Sequence, residues 1–493
     1  MGMMGNLDRK QYGQDRAPIA EAMKAYAGDG ALAFHTPGHK QGLGAHALLR
    51  ELITAQGLRE EVSLMEELDD LHAPSGCIRE AQELAAELYG ADAAYFMVNG
   101  TTGAVHTMLL AALSPGDTVL VPRNAHRSMM GGILLSGARP VFLSPEIDGE
   151  WGIPMGLSVE TVREAIEQHP DAKALALVSP TYYGVASDLR EMAKILHEKG
   201  MLLLVDEAHG AHLKFHAGLP PQAMDAGADL AAQSTHKLLG SLTQSSMLLG
   251  RRGRVDFSRV QEAASLLQST SPNYLLLASL DIARMQMAME GKERIARAVR
   301  LSEGLREAVR GLDGLESFGQ EIVGNPGVCG LDATKVTISV RGLGLTGMEA
   351  ERILRHQYKV QCELSDPYNL LFILSMADTE TELASLVGAL QGLAGNHFGQ
   401  ETFSVSMELP EIPEQRMLPR EAFFADKERV ALERAAGRVS AEQVVFYPPG
   451  IPVLCPGELV SRDLIAYIRR MQGLGRRIVG AEDAELRTLR VIR

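Results

Sequence analysis

The segment MLLLVDEAHGAH, residues 201–212, decides the fold because it joins a run of apolar residues directly to an aspartate, Asp206. Such a run fits a short buried strand. A carboxylate at the end of a buried strand is costly unless a cation lies beside it. Similar apolar runs precede this one, at residues 93–98, 117–122, 139–144 and 173–179. The sequence therefore predicts a sheet and marks Asp206 as a candidate for a charged site.

Amphipathic stretches separate these apolar runs. Residues 102–113, 158–169 and 188–200 have helical spacing, and the last two stretches open with Ser158 and Asp188, which suit N-capping. Strands that alternate with helices predict an α/β fold with a mostly parallel sheet covered on both faces. Because such sheets bind ligands at the carboxyl ends of their strands, polar residues just after each run are the site candidates.

A long helical pattern at residues 274–311 is expected to lead out of this domain toward a smaller unit. Residues 335–365 suggest a strand, a glycine-rich turn, a helix and a strand, and residues 408–420 suggest a connector. We therefore expect an N-terminal arm and a large domain over residues 1–300, and a smaller C-terminal α+β domain over residues 301–493.

The composition limits the possible partners and compartments. With 48 basic and 62 acidic residues among 493, the formal charge is −14, which should repel nucleic acid and anionic membranes. No apolar run approaches the roughly 18 residues that span a bilayer, and residues 1–10 lack a signal-peptide stretch, so we expect a cytoplasmic protein. The spacing of the cysteines predicts reduced thiols without a metal site; they are Cys77, Cys329, Cys362 and Cys455.

The lysine in QSTHKLLGSLTQSSML, Lys237, is the second informative feature. Alone, a lysine in such a segment is most often a solvated side chain. Together with Asp206 it favours a pyridoxal 5'-phosphate site, in which Lys237 holds the cofactor as a Schiff base. Asp206 would then favour the protonated pyridine nitrogen and make the ring an electron sink. The alternative is that Asp206 only caps the next turn.

A third feature is FMVNGTTGAVHTMLL, in which a strand runs into Gly100, Thr101 and Thr102 before a helix. Free backbone N–H groups at a helix start suit a phosphate, glycine permits a tight turn, and hydroxyl groups add donors. The sequence therefore predicts that the cofactor phosphate binds here. The turn alone is weak support, because many strand-to-helix turns look similar.

Two histidines follow the predicted strands. His126 comes after the run at residues 117–122 and is expected to stack on the cofactor ring, although a loop histidine is more often a plain hydrogen-bonding residue. His209 lies three residues beyond Asp206, where it would either contact the cofactor or hold Asp206 by a hydrogen bond. The sequence leaves these two roles open.

Taken together, the motifs resemble the Orn/Lys/Arg decarboxylase family of fold-type I pyridoxal-phosphate enzymes, and especially its short bacterial members. The resemblance runs nearly from end to end. Its motifs stand in order: FHTPGHKQG (34–42), LDDLHAPSGCIREAQELAAELYGAD (68–92), FMVNGTTG (96–103), RNAHRS (123–128), SPTYYGV (179–185), VDEAHGAH (205–212), QSTHKLLGSLTQSS (233–246), QSTSPNYLLLASLD (268–281) and YPPGIPVLCPGE (447–458).

The resemblance implies roles for the residues already named: Lys237 as the Schiff-base lysine, Asp206 as the partner of the ring nitrogen, His126 as the stacking residue, and Thr101 and Thr102 as phosphate contacts.

It also implies roles for further residues. Ser234 and His236 would neighbour the phosphate and the Schiff base, and Thr270 and Ser271 would reach the phosphate of a partner subunit. Glu458 would approach the active-site entrance and bind the distal cation of the substrate. His35 and His39 also stand in one of these motifs, and the sequence leaves their role open.

The activity implied is decarboxylation of a basic L-amino acid, with arginine favoured, then lysine and ornithine, giving agmatine, cadaverine or putrescine plus carbon dioxide. Lys237 is the expected proton donor to Cα, with His209 as the second choice. Because the N-terminal wing domain of the longest members is missing, a homodimer or a dimer of dimers is expected. The alternatives are an aminotransferase or lyase on the same fold, and a catalytically silent regulatory subunit.

Overall fold

The computed structural model describes residues 13–397, 410–447, 451–473 and 477–493. Residues 1–10, residues 408 and 409 of the expected connector, and residues 448–450 of the last motif lie outside the described residues. The described part contains α1 (Pro18–Gly28), α2 (Ala47–Ile53), α3 (Ala55–Glu60), α4 (Cys77–Tyr89), α5 (Gly100–Ala112), α6 (Arg127–Ser136), α7 (Val159–Gln168), α8 (Leu189–Glu198), α9 (Ala223–Ala226), α10 (Thr235–Leu238), α11 (Phe257–Leu267), α12 (Tyr274–Arg310), α13 (Gly347–Ile353), α14 (Glu380–His397), α15 (Pro419–Phe424) and α16 (Arg462–Gly473).

The strands of the same part are β1 (Ala93–Met97), β2 (Thr118–Pro122), β3 (Arg139–Leu143), β4 (Ile147–Asp148), β5 (Ile153–Pro154), β6 (Ala174–Val178), β7 (Val185–Ala186), β8 (Leu202–Asp206), β9 (Leu230–Gln233), β10 (Ser246–Gly250), β11 (Glu316–Ser317), β12 (Gly330–Leu331), β13 (Lys335–Ser339), β14 (Leu364–Ser365), β15 (Asn369–Ile373), β16 (Lys427–Ala431), β17 (Val444–Tyr447), β18 (Ile451–Leu454), β19 (Arg477–Val479) and β20 (Thr488–Ile492).

The central sheet has seven strands in the order β1-β10-β9-β8-β6-β2-β3. Strands β3, β2, β6, β8 and β9 pair in parallel, while β10 runs antiparallel between β9 and β1. In this register Asp206 lies beside Val178 of β6 and Ala232 of β9. The predicted α/β fold with a mostly parallel sheet is confirmed.

Alternation along the strands divides the core between the two faces of this sheet. Leu203 packs in a cluster with α1, α4, α7 and α8, while its neighbour Leu204 packs in a cluster with α5, α6 and α11. Two predicted helix starts are confirmed by their caps: Ser158 accepts a hydrogen bond from the backbone of Thr161, and Asp188 accepts one from Glu191. Both sheet faces are therefore covered, and only the strand ends remain for a site.

Helix α12 passes through residue 300 without a break, so the expected boundary near that residue falls inside a continuous helix. A second sheet follows, with four antiparallel-paired strands in the order β11-β13-β15-β14. A separate hydrophobic cluster lies farther along the chain, between Leu432 and Val491. Residues 301–493 thus contain two hydrophobic clusters of their own. No helix in the described ranges is long and apolar enough to cross a membrane.

Candidate active site

Polar residues from several strand ends meet at one edge of the central sheet. Asp206 ends β8, Ser234 directly follows β9, and Gly100 begins α5 shortly after β1. His126 lies four residues after the end of β2, at the start of α6. The parallel arrangement places these ends at the same edge, as the sequence predicted.

Lys237 lies on the short helix α10, which begins directly after Ser234. Its Nζ atom is 3.0 Å from Nε2 of His209 and 5.6 Å from the ring centroid of Tyr182. Burial lowers the pKa of Lys237, while the negative charge of Asp206 opposes that effect. A lowered pKa increases the fraction of neutral amine, which is the nucleophilic form.

Asp206 is a buried carboxylate without an ion pair among the described residues. Its side chain is 2% exposed, and Oδ1 accepts a hydrogen bond of 3.1 Å from the backbone of Ala208. Burial raises the pKa of Asp206 to about 6, although the charge of Lys237 acts in the opposite direction. A cation placed beside this carboxylate would be strongly favoured.

His209 lies in the loop after β8, three residues beyond Asp206, and contacts Lys237. Its hydrogen bond goes to Lys237, and its ring packs against Tyr182 with centroids 4.4 Å apart. Atom Nδ1 is buried and has no hydrogen-bond partner in the described part of the chain. Burial, followed by the charge of Lys237, lowers the pKa of His209 well below its usual value. The ring is therefore neutral near pH 7.

His126 caps the start of α6 through its side chain. Nδ1 lies 2.8 Å from the hydroxyl oxygen of Ser128 and also accepts a hydrogen bond from the Ser128 backbone. Although His126 is exposed in this single chain, its pKa is lowered, first by desolvation and then by the charges of Lys237 and Arg127. A neutral imidazole with an accessible side is compatible with the predicted stacking role, which stays a prediction.

The start of α5 carries a cluster of hydroxyl groups. Gly100 has a φ of +66°, a conformation that favours glycine, and begins the helix. The Thr101 hydroxyl is hydrogen-bonded to the Ser234 hydroxyl and lies 2.9 Å from that of Ser246, whereas Thr102 is exposed. A helix start with adjacent hydroxyl donors suits a phosphate group.

Three other predicted cofactor neighbours lie outside this hydroxyl cluster. The ring of His236 is half-buried, with Nδ1 2.8 Å from the carbonyl oxygen of Ser245. Thr270 and Ser271 are exposed in the loop between α11 and α12. Within the described chain, neither the Thr270 nor the Ser271 side chain forms a hydrogen bond with Lys237. Their predicted contact with a partner's cofactor stays a prediction.

Glu458 differs from the expectation of an acid near the active-site entrance. Its side chain is 0% exposed, and both carboxylate oxygens bind the Arg123 guanidinium, at 2.5 and 2.8 Å. The backbone N–H of Cys455 donates a further hydrogen bond of 2.7 Å to the same carboxylate. The turn after β18 thus directs the carboxylate inward, where Arg123 neutralises it. In the single chain Glu458 is therefore buried and paired with Arg123, which differs from an acid exposed at an entrance, and its contact with the substrate cation stays a prediction.

His35 and His39 make contacts within the N-terminal region. His35 Nε2 lies 2.9 Å from the Tyr26 hydroxyl, and His39 Nε2 lies 2.7 Å from the Glu61 carboxylate. These are local contacts between neighbouring elements, and neither joins the group around Lys237.

The sequence reasoning missed residues that complete the site. Tyr182 lies in the loop after β6, inside the quoted motif SPTYYGV, so the rule for strand ends would have found it. Arg123 stands three residues before His126 in RNAHRS. Lys335 and Asp332 lie far along the chain, and no local pattern connects them with Lys237.

The residues present fit pyridoxal phosphate. Asp206 offers a buried carboxylate that lacks a cation, and His209 offers a buried Nδ1 that lacks a hydrogen-bond partner among the described residues. Lys237 supplies an amine with a lowered pKa, and Thr101 and Ser234 supply hydroxyl groups at a helix start. Asp206 matches the ring nitrogen, and His209 matches a ring substituent. Lys237 matches the aldehyde, and the two hydroxyl groups match the phosphate.

Comparisons with known proteins identify the family that this chain resembles. The family model for the Orn/Lys/Arg decarboxylase major domain matches residues 17–382, and the model for its C-terminal domain matches residues 401–484. An arginine decarboxylase of Halalkalibacterium halodurans is 46% identical over 97% of this chain and 98% of that protein. An arginine decarboxylase of Bacillus subtilis is 44% identical with the same coverage.

A solved structure shares the fold. The lysine decarboxylase of Francisella novicida has a TM-score of 0.83 and 23% identity, over 97% of this chain and 81% of that one. The relatives and the family models also confirm the prediction of a carboxy-lyase. Because the family models cover most of the sequence, this chain belongs to the Orn/Lys/Arg decarboxylase family.

Proposed function

We propose that this chain decarboxylates L-arginine with pyridoxal phosphate as its cofactor. The observation that carries the proposal is the grouping at one sheet edge of Lys237, neutral His209 and the Asp206 carboxylate, which has no ion pair among the described residues. The preference for arginine is supported by the names of the relatives at 44–46% identity.

The chain's own residues would hold the cofactor at defined points. Lys237 would bind its aldehyde carbon covalently, and the Asp206 carboxylate would hold a proton at the ring nitrogen. Thr101 and Ser234 would donate their hydroxyl hydrogens to the phosphate, together with the free N–H groups at the start of α5. His126 would lie against one face of the ring.

When bound, the cofactor supplies an aldehyde that joins the substrate amine and a ring that takes up the electron pair left by the departing carboxylate. Asp206 contributes by keeping a positive charge at the ring nitrogen, where the incoming electron pair is stabilised. Its burial makes this contribution larger, because little water screens the charges.

Lys237 and His209 supply the proton that replaces the carboxylate. With the substrate amine bound, the Nζ atom of Lys237 would hold a proton beside Nε2 of His209, which lies 3.0 Å away. Delivery of that proton to Cα completes the reaction, in which arginine loses carbon dioxide, gains one proton and becomes agmatine. Lysine and ornithine would give cadaverine and putrescine by the same steps.

A homodimer is the assembly that we propose. Large apolar side chains of the N-terminal region are exposed in the single chain, including Phe34, which is 92% exposed, and Leu32, Leu43 and Leu52. Exposed apolar residues clustered in one segment are typical of an interaction surface. The exposed loop with Thr270 is also free to reach a second copy.

The proposal is tested by measuring carbon dioxide release from L-arginine, L-lysine and L-ornithine with pyridoxal phosphate added. We expect the highest kcat/KM with arginine, and agmatine in equal amount to the carbon dioxide. Lys237→Ala should lose several orders of magnitude in turnover, because the covalent link and the proton donor are both removed. Lys292→Ala is the matched control, since Lys292 is an exposed lysine on α12.

Two results would contradict the proposal. Consumption of arginine that requires a keto acid and releases no carbon dioxide would identify an aminotransferase. Higher kcat/KM with lysine or ornithine would overturn the arginine preference and leave the decarboxylase reaction in place.

A further inference from the structure

A fully buried lysine contacts the loop that carries His209. Lys335 begins β13 in the second sheet, and its side chain is 0% exposed. Its Nζ atom is 2.9 Å from Oδ2 of Asp332 and 3.4 Å from the carbonyl oxygen of His209. A cation of the second sheet therefore contacts the loop that carries a central residue of the active site.

The Asp332 carboxylate has further hydrogen-bond partners besides Lys335. Oδ1 accepts hydrogen bonds from the backbone and the hydroxyl of Thr334, at 3.0 and 2.7 Å, and lies 3.1 Å from Nε2 of His212. The carboxylate is thus shared among several donors, while Lys335 has one carboxylate partner. Lys335 thus joins the His209 backbone to Asp332, whose carboxylate is also bonded to His212 and Thr334.

Burying an ion pair is expensive, and an apolar pair of similar volume is often as stable. A buried lysine beside a site that depends on a neutral amine therefore suggests an electrostatic role. The charge of Lys335 acts on both members of the site, since it disfavours protonation of Lys237 and of His209.

We propose that Lys335, held by Asp332, is a positioning residue: its hydrogen bond fixes the His209 loop, and its buried positive charge acts on Lys237 and His209. This inference rests on the proposed function, because it concerns the amine that would bind pyridoxal phosphate. In this role Lys335 acts through Lys237 and His209.

The charges that face Lys237 come from several elements. Asp206 at the end of β8 and Glu363, next to β14, favour the protonated amine, while Lys335 of β13 disfavours it. His209 is influenced by Lys237 and Lys335, by Asp332, and by His126 at the start of α6. Without the charge of Lys335, Asp206 and Glu363 would raise the pKa of Lys237 further.

This balance predicts the direction of the change. Removing the charge of Lys335 should raise the pKa of Lys237 and leave less neutral amine at a given pH. The rate at which the apo chain forms its covalent link with saturating pyridoxal phosphate measures that neutral fraction. It is followed by the visible absorbance of the bound cofactor and does not depend on turnover.

The test compares Lys335→Gln with the wild-type chain between about pH 6 and 10. Glutamine keeps donors for Asp332 and for the His209 carbonyl oxygen, so it removes the charge with little loss of hydrogen bonding. We expect the midpoint of the rate profile to rise by about one pH unit, the lower end of what one nearby charge causes. At pH 7 the link should form about tenfold more slowly.

Two further variants separate electrostatics from folding. Lys335→Arg keeps the charge and should return the midpoint toward the wild-type value. Arg284→Met removes a buried cation from an equivalent pair with Asp281, also three residues apart and 0% exposed, on α12. It should lower stability and leave the midpoint unchanged.

The outcomes are distinguishable. An unchanged midpoint in Lys335→Gln, or an equal shift in Arg284→Met, would overturn the electrostatic role of Lys335 and leave the proposed function intact. If the wild-type chain formed no visible band with pyridoxal phosphate, the proposed function would fail, and this inference would fail with it.

Discussion

Replacement of Glu458 by glutamine tests whether this residue is a structural acid. Glu458→Gln preserves size and leaves an oxygen that accepts the N–H of Cys455, while it removes the charge that neutralises Arg123. The Arg123 guanidinium is 4% exposed and cannot move into water without disturbing its surroundings. The variant therefore leaves a buried cation without its counter-charge.

The magnitude follows from the geometry of the pair. Two hydrogen bonds of 2.5 and 2.8 Å join side chains that are almost completely buried. Removing one partner of such a pair costs about 3–5 kcal/mol. Because Arg123 Nε also donates to the carbonyl oxygen of Pro452, and glutamine retains an acceptor, we expect the lower end, about 3 kcal/mol.

The assay is urea unfolding of the apo chain, followed by circular dichroism, with hydrogen exchange of the segment at residues 451–458 as a local probe. Glu433→Gln is the control, since Glu433 pairs with Arg469 on the surface of the same C-terminal region and should leave the midpoint unchanged. The double variant Arg123→Met, Glu458→Gln should recover part of the loss, because no charge is then buried alone.

The opposite pattern would refute this reasoning. If Glu458→Gln unfolded at the same urea concentration as the Glu433→Gln control and raised the KM for arginine strongly, Glu458 would face the substrate and the buried pair would be unimportant.

Three further outcomes are expected. Asp206→Asn should keep the covalent cofactor and lower kcat much more than substrate affinity, because the missing charge matters mainly in the transition state; unchanged kcat would remove Asp206 from its role. Mixing a Lys237→Ala subunit with a Thr270→Ala, Ser271→Ala subunit should restore activity toward half of wild type if partner subunits complete each site, and heterodimers without recovery would exclude shared sites. Burial raises the pKa of Glu207 from 4.5 to about 8, so the folded chain binds its proton more tightly than the unfolded chain does. That contribution to stability is full below pH 4.5 and is lost as the pH rises toward 8; Glu207→Gln should therefore flatten the pH dependence of the unfolding midpoint, which thermal scans from pH 5 to 8 can measure.

The elements that local patterns determine could be predicted from the sequence. The run at residues 201–206 appears as β8, and the stretch at residues 158–169 appears as α7 with Ser158 as its cap. Asp206 is a candidate on sequence alone, because a carboxylate directly after a buried strand is costly without a cation beside it. Because parallel strands end at the same edge of a sheet, Asp206 is expected close to Lys237.

The features that could not be predicted from the sequence are contacts between segments that are far apart along the chain. Glu458 and Arg123 are 335 positions apart, and only the fold shows that they neutralise each other. Lys335 has the appearance of an ordinary lysine at the start of a strand. Its contact with His209 depends on how the start of β13 lies against the loop after β8, which periodicity does not encode.

Borohydride reduction of the chain with bound pyridoxal phosphate, followed by peptide mapping, tests the central claim most directly. Borohydride converts a Schiff base into a stable secondary amine, so the modified lysine is identified by mass. We predict one pyridoxyl group per chain, on the peptide that contains Lys237, with loss of the visible band. A label on another lysine, or a reduced chain without any pyridoxyl group, would contradict the assignment of Lys237 and the site built around it.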